Sequence, residues 1–162
     1  MEPLKDPIMA TYDVLYNSDG ERFVLGGSPS SDGLGLLHPS PVHIFRLWQI
    51  FVDRINPLTK ILHAPTMQQK ILEASSDLEN IPESLEVLMF SIYYFATTAL
   101  LPEESEDLFG EDQESMEMRY KHGFQQALVN AGFLKSSEIL TLQAFVLYLV
   151  GATVKPIARN VL

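Results

Sequence analysis

LHPSPVHIFRLWQIFVDRINPLTKILHAPT, residues 37–66, carries a full set of helix punctuation. Ser40 can cap a helix whose first residue is Pro41, a position where a missing N–H does no harm. Ile44, Trp48, Phe51 and Ile55 then recur at helical spacing, and Phe45, Leu47 and Val52 widen the apolar face. The spacing predicts a helix with a broad buried stripe. It should stop near Asn56-Pro57, because proline disfavours helical geometry in the residue before it. Thr66 followed by Gln69 matches a capping box, which predicts a second helix from there to about Ser75.

The same grammar continues toward the C-terminus. Pro82 should open a third helix in the manner of Pro41, with Leu85, Leu88, Met89, Ile92, Phe95, Ala96 and Ala99 on its inward face and Tyr93 and Tyr94 flanking that stripe. Leu101–Glu117 holds eight carboxylates and is expected to be an acidic linker region. A fourth helix should cover about Glu111–Ala131 and end at Gly132, which suits the left-handed turn beyond a helix terminus. A fifth should begin after Ser136 or Ser137 and carry Ile139, Leu140, Leu142, Phe145, Val146 and Leu149. Leu147, Tyr148 and Val150 make it apolar nearly all round, as expected of a helix meant for the centre of a larger bundle. No strand alternation competes after residue 37. The expected fold is all-α: an irregular bundle of about five helices preceded by a flexible N-terminal segment.

That lead-in, residues 1–36, mixes Gly20, Gly26, Gly27, Gly33 and Gly35 with serines and aspartates around one short apolar run, Phe23–Leu25, which suggests a linker with at most one hairpin. The Gly26-Gly27 pair lies in no GxGxxG or GxxxxGK[ST] pattern, so a phosphate-cradling loop does not follow.

With 162 residues, 46% of them apolar and 20% charged, one folded domain with a sizeable core is expected. The chain has no cysteine and a formal net charge of -10. A structural zinc cluster needs thiolates, which His38, His43, His63 and His122 do not replace. Nucleic-acid binding is driven largely by lysine and arginine neutralising phosphates, so the net charge opposes direct duplex binding by this chain. The most apolar run, Ile139–Val154, is shorter than the roughly 20 residues needed to span a bilayer.

Candidate chemistry is sparse. His38 and His43 stand five apart across two prolines, where metal ligands on one helix face prefer spacings of three or four, and no acidic third ligand is near. His63 precedes Ala64-Pro65 and suits a turn, and His122 suits a helix surface. The acidic run lacks the glycine-punctuated pattern of a calcium loop and reads as solvated, although its leucines and Phe109 also echo activation-segment composition. No catalytic residue, cofactor-binding residue or metal ligand is assigned, no cofactor is expected, and an enzyme is not the expected class.

Residues 37–66, together with ILEASSDLENIPESLEVLMFSIYYFA at 71–96, LFGE at 108–111 and RYKHGFQQALVNAGFLKSSEILTLQAFVLYL at 119–149, closely resemble successive blocks of the regulatory middle region of fungal zinc-cluster transcription factors. The resemblance implies an all-helical domain between a six-cysteine DNA-binding module and activation segments, associated with regulating the factor's activity, often at secondary-metabolite genes. It divides the chain into a linker-like segment at 1–36, a helical regulatory domain at 37–150 and a tail at 151–162, where the likeness fades. Nuclear location follows from the resemblance alone.

These observations imply a transcription-regulator-like protein that acts through protein contacts, with itself or with a full-length regulator, without its own zinc module or membrane anchor. If the chain is an excised first part of a longer region, the Ile139–Val150 helix should be under-covered and should associate with a partner or a second copy. The alternatives are a stand-alone helical protein binding a small-molecule effector in a pocket lined by Trp48, Phe51, Tyr94 and Phe95, and a non-functional fragment of a larger regulator.

Overall fold

A computed structural model describes residues 33–133 and 137–161, with side chains as far as Val154. The lead-in up to residue 32, including the Phe23–Leu25 hairpin expectation, and Ser136 lie outside the described residues. Among the described residues the fold is all-α, an irregular bundle: α1 (Leu34–Leu37), α2 (Pro41–Ile50), a π turn (Phe51–Ile55), α3 (Asn56–Thr59), α4 (Ala64–Ser76), a 3-10 turn (Leu78–Asn80), α5 (Glu83–Thr98), α6 (Pro102–Phe109), α7 (Gln113–Asn130) and α8 (Ile139–Val161). The five longest helices correspond to the five that the sequence predicts.

At the centre stands α5, which packs most extensively against α7 and α8, with α2 on a further side. Leu85 and every residue from Val87 to Thr97 are buried. Polar positions survive there because they satisfy their own helix: Ser91 Oγ donates to the Leu88 carbonyl (2.7 Å) and Thr97 Oγ1 to that of Tyr93 (2.7 Å). The Ile139–Val150 helix, expected to suit the centre of a larger bundle and to be under-covered, packs beside α5 and is under-covered. Among its described side chains α8 buries Thr141, Ala144, Leu147, Tyr148 and Gly151, while Ile139, Leu142 and Val146 face outward.

Four boundaries also differ from the local signals. Residues 34–36 are helical rather than linker: α1 follows a left-handed Gly33 (φ 111°), buries Leu34 and leans on α7. Helical winding runs through Pro57 to Thr59, because the chain widens into a π turn in which the Asn56 N–H reaches the Phe51 carbonyl. A proline that cannot donate is tolerated just after such a widened turn. In α4 the first residue is Ala64, with Pro65 in its first turn, so Thr66 is inside the helix and does not cap it. Its hydroxyl instead meets His63 Nδ1 at 2.8 Å.

The acidic segment is the fourth correction, since Pro102–Phe109 is a helix, α6, closed by the left-handed Gly110. Glu104 reaches back to accept from the Leu101 N–H at 2.9 Å, the half of a capping box that a leucine cap leaves possible. Its two oxygens also accept from Arg54 at 2.9 and 2.7 Å, and Arg54 donates to the Ala99 carbonyl at 3.1 Å. Arg54 and the Leu101 N–H together hold the Glu104 carboxyl down at about 2, from an ordinary 4.5. The depressed value means that this clip stabilises the fold fully above about pH 4.5 and is lost as pH falls toward 2. Both side chains are partly exposed, so Glu104→Gln is expected to cost no more than about 1 kcal/mol at neutral pH. Thermal melts of the two proteins should converge near pH 2; a gap that stays constant from pH 7 to 2 would refute the assignment.

Candidate interaction surface

The inward stripe of α2 forms as predicted: Ile44, Leu47, Trp48, Phe51 and Ile55 are buried. Trp48 Nε1 donates to Gln68 Oε1 at 3.3 Å, which ties α2 to α4. Phe45, expected to widen that buried face, lies outside it. With Val42 it forms one wall of an open apolar groove of about 740 Å³, closed by Leu72 of α4 and Leu108 of α6. Val42 is 62% exposed, Phe45 41%, Leu72 46% and Leu108 37%. Arg46, in the groove wall, spans to α6 by donating to the Leu108 carbonyl. Four large apolar side chains thus converge on one depression.

A second depression, of about 700 Å³, lies between α1 and the start of α5 and is lined by Leu34, Leu36, Leu78, Ile81, Glu83 and Glu86 among others. Behind its wall sits His38, which is buried. Its imidazole meets Glu86 Oε1 through Nε2 at 3.0 Å and the Tyr93 hydroxyl through Nδ1 at 3.1 Å. A carboxylate only accepts, so Nε2–H is the donor to Glu86. Burial pushes the Tyr93 phenol well up, so it stays protonated at neutral pH. His38 also lies 4.5 Å from Phe90, ring to ring. It is a strut between the segment after α1 and the central helix.

The other histidines do not join it. His43 sets its ring edge against Phe109 (5.1 Å), His63 stands at the head of α4, and His122 is exposed on α7. Among the described residues no three histidines, aspartates or glutamates gather as a metal would need. The carboxylates of the acidic run are partly spoken for: Glu104 by Arg54, and Glu111 by Arg119, whose guanidinium lies 5.1 Å over the Tyr120 ring. Desolvation raises the Tyr120 phenol to about 12 and that of Tyr148 higher still, so neither offers a phenolate at neutral pH.

The four aromatics proposed to line an effector pocket are core residues, which corrects that reading. Trp48 stacks on Phe51 at 5.8 Å, Tyr94 packs on Tyr148 at 5.0 Å, Phe95 lies under Gly151, and none lines either depression. Sequence reasoning missed the groove. The available signal was that Val42 and Phe45, three apart, fall to one side of the Ile44–Trp48–Phe51–Ile55 line. No helix among the described residues is long and apolar enough to cross a membrane.

No family model matches the chain, and no solved structure matches it. Relatives of known class do. The chain is 41% identical over 144 residues to the transcriptional regulator AacuB of Aspergillus aculeatus, covering 88% of this chain and 20% of that protein. It is 41% identical over 126 residues to the pyriculol/pyriculariol biosynthesis cluster transcription factor 1 of Pyricularia oryzae, covering 77% and 17%. It is 30% identical over 153 residues to the C6 finger domain transcription factor nscR of Trichophyton verrucosum, covering 90% and 23%. The chain thus spans about a fifth of the length of these relatives.

Proposed function

We propose, from the premise that this chain belongs to the fungal zinc-cluster transcription factor family, that it serves as a regulatory segment controlling transcription of a secondary-metabolite gene cluster through protein contacts. The observation that carries the reading is the similarity, over most of the chain, to fungal transcriptional regulators, one of them named for a biosynthesis cluster. The groove between α2, α4 and α6 supports it, because a regulator that acts by contact needs an apolar surface held in a fixed shape. The 162 residues contain no cysteine and carry a net charge of -10, so reading of DNA falls to other residues than these. The work is that of a nuclear protein in a complex with a regulator that does touch the promoter.

Deleting the gene should change transcript levels of adjacent biosynthetic genes several-fold, and re-expression should restore them. Re-expression of Phe45→Asp/Leu72→Asp, which charges two exposed groove walls without touching the core, should not. Unchanged transcripts after deletion would overturn the proposal, and full restoration by the double variant would remove the groove from it.

A further inference from the structure

Ile81 is common to two depressions: the one of about 700 Å³ beside α1, and a third, of about 470 Å³, walled by the end of α4 and the start of α5. Both have apolar lining. Leu34, Leu36 and Leu78 contribute to the first, and Leu85 and Leu140 to the other. Carboxylates share the lining: Glu79, Glu83 and Glu86 in the first, Glu73 and Asp77 in the other. Among the described residues Lys70 is the one basic side chain that lines either.

The fold leaves this charge without a cationic partner, although it supplies one elsewhere. Between Lys70 and Arg119 the sequence holds thirteen Asp and Glu and no Lys, Arg or His. At α6 and just beyond it, arginines from other segments answer that run, Arg54 at Glu104 and Arg119 at Glu111. Around Ile81 side-chain amides take their place: Gln69 donates to Glu73 at 3.1 Å and Asn80 to Asp77 at 2.8 Å. His38 engages one oxygen of Glu86. The exposed carboxylates of Glu79 and Glu83 meet no hydrogen-bond or ion-pair partner among the described residues.

The sign of the charge selects what covers the apolar lining. Residues 1–32 hold six carboxylates against two basic residues, and a second copy brings a net charge of -10, so both are repelled. Nucleic acid and anionic lipid are repelled for the same reason. A protein segment with Lys or Arg between large apolar side chains suits both parts of the surface. Its apolar side chains enter the depressions, its aliphatic stems lie along their edges and its charged heads reach the carboxylates.

We infer that the paired depressions around Ile81 dock a basic, apolar segment of a partner protein, with Glu79 and Glu83 as its ion-pair partners. This surface is separate from the groove between α2, α4 and α6, and the inference does not depend on the regulatory reading.

Fluorescence anisotropy of a short labelled peptide of alternating arginine and leucine, titrated with the purified chain, tests this. Saturable binding is expected, weakening as salt is added. Glu79→Lys/Glu83→Lys should weaken it at least tenfold, and Glu79→Gln/Glu83→Gln should do so in the same direction without reversing charge in the first turn of α5. Glu106→Lys/Asp107→Lys, the same change in net charge placed on α6, should alter binding less than twofold. Circular dichroism melts of each variant check that the fold is kept. A peptide of arginine and serine should bind at least tenfold more weakly than the arginine–leucine probe, and one of glutamate and leucine should not bind. No binding of the first probe, equal loss from the two lysine pairs, or equal binding of the serine probe would each overturn the inference, the last two by reducing it to bulk charge attraction. Peptide binding as expected with no transcript response to gene deletion would sink only the regulatory reading.

Discussion

His38→Ala should lower stability by about 2–4 kcal/mol, the sum of a cavity beside Phe90 and two polar partners left behind. The imidazole is buried, so its removal does not admit bulk water freely to the Tyr93 hydroxyl, itself among the most buried side chains of α5. Glu86 also loses the donor 3.0 Å away that faces it. Read by thermal melting, the loss corresponds to a drop on the order of 10 °C for a domain of this size. His38→Phe separates the two contributions, since it refills the volume against Phe90 but restores neither hydrogen bond. It should recover part of the loss and no more. A melting temperature for His38→Ala within a degree of the parent would show that the strut carries no load.

Gly123→Ala should also destabilise the fold, although alanine is the better helix former by about 1 kcal/mol. A Cβ built on Gly123 would stand 2.5 Å from Phe90 Cδ1 and 3.0 Å from Cζ, and nearer still to Cε1. The ring has nowhere to retreat, because Phe90 is fully buried with His38 at 4.5 Å and Tyr93 at 5.5 Å. Overpacking of this kind costs roughly 1–3 kcal/mol, which exceeds the helix-propensity gain through most of its range. Gly151 provides the comparison: its Cβ would meet Phe95 at 3.1 Å, a contact that a small ring shift relieves. Gly151→Ala should thus be near neutral. Combining Gly123→Ala with Phe90→Leu should cost less than the two changes added, as expected of residues that share one space. Urea titrations of the four proteins measure this directly, and strict additivity would contradict the packing argument.

Phe90 links the two predictions. It fills the space between the His38 strut on one side and the backbone of α7 at Gly123 on the other. The central helix is positioned by an aromatic ring that its neighbours clasp from two directions. Removing the clasp at His38 and crowding it at Gly123 are opposite perturbations of one contact, and both should loosen the packing of α5 on α7.

Much of this was legible in the residues themselves. Periodicity placed the five long helices and their all-α class, and the Ile44–Trp48–Phe51–Ile55 stripe could be assigned to the core because period and burial agree there. Gly132, with φ 62°, ends α7 as its residue type requires. The absence of cysteine and the net charge by themselves argue against a thiolate zinc cluster and against direct duplex binding by these residues.

What the local signals could not supply were the decisions made by residues distant in sequence. The acidic run reads as solvated linker because eight carboxylates repel. Its first half is α6, which buries Ser105 and Phe109 and is met by Arg46 and Arg54, about 50 to 60 positions earlier, donating to the Leu108 carbonyl and to Glu104. Pro57 reads as a stop, yet the π turn before it carries the winding on to Thr59. Two segments, Glu83–Thr98 and Ile139–Val154, are apolar enough to occupy the middle of a bundle, and only the packing of α2, α7 and α8 around the first made it the centre. Hydrophobic periodicity reports how much surface a helix needs to bury; which neighbour buries it, and which faces stay open for a partner, is settled by long-range packing that no window of sequence contains.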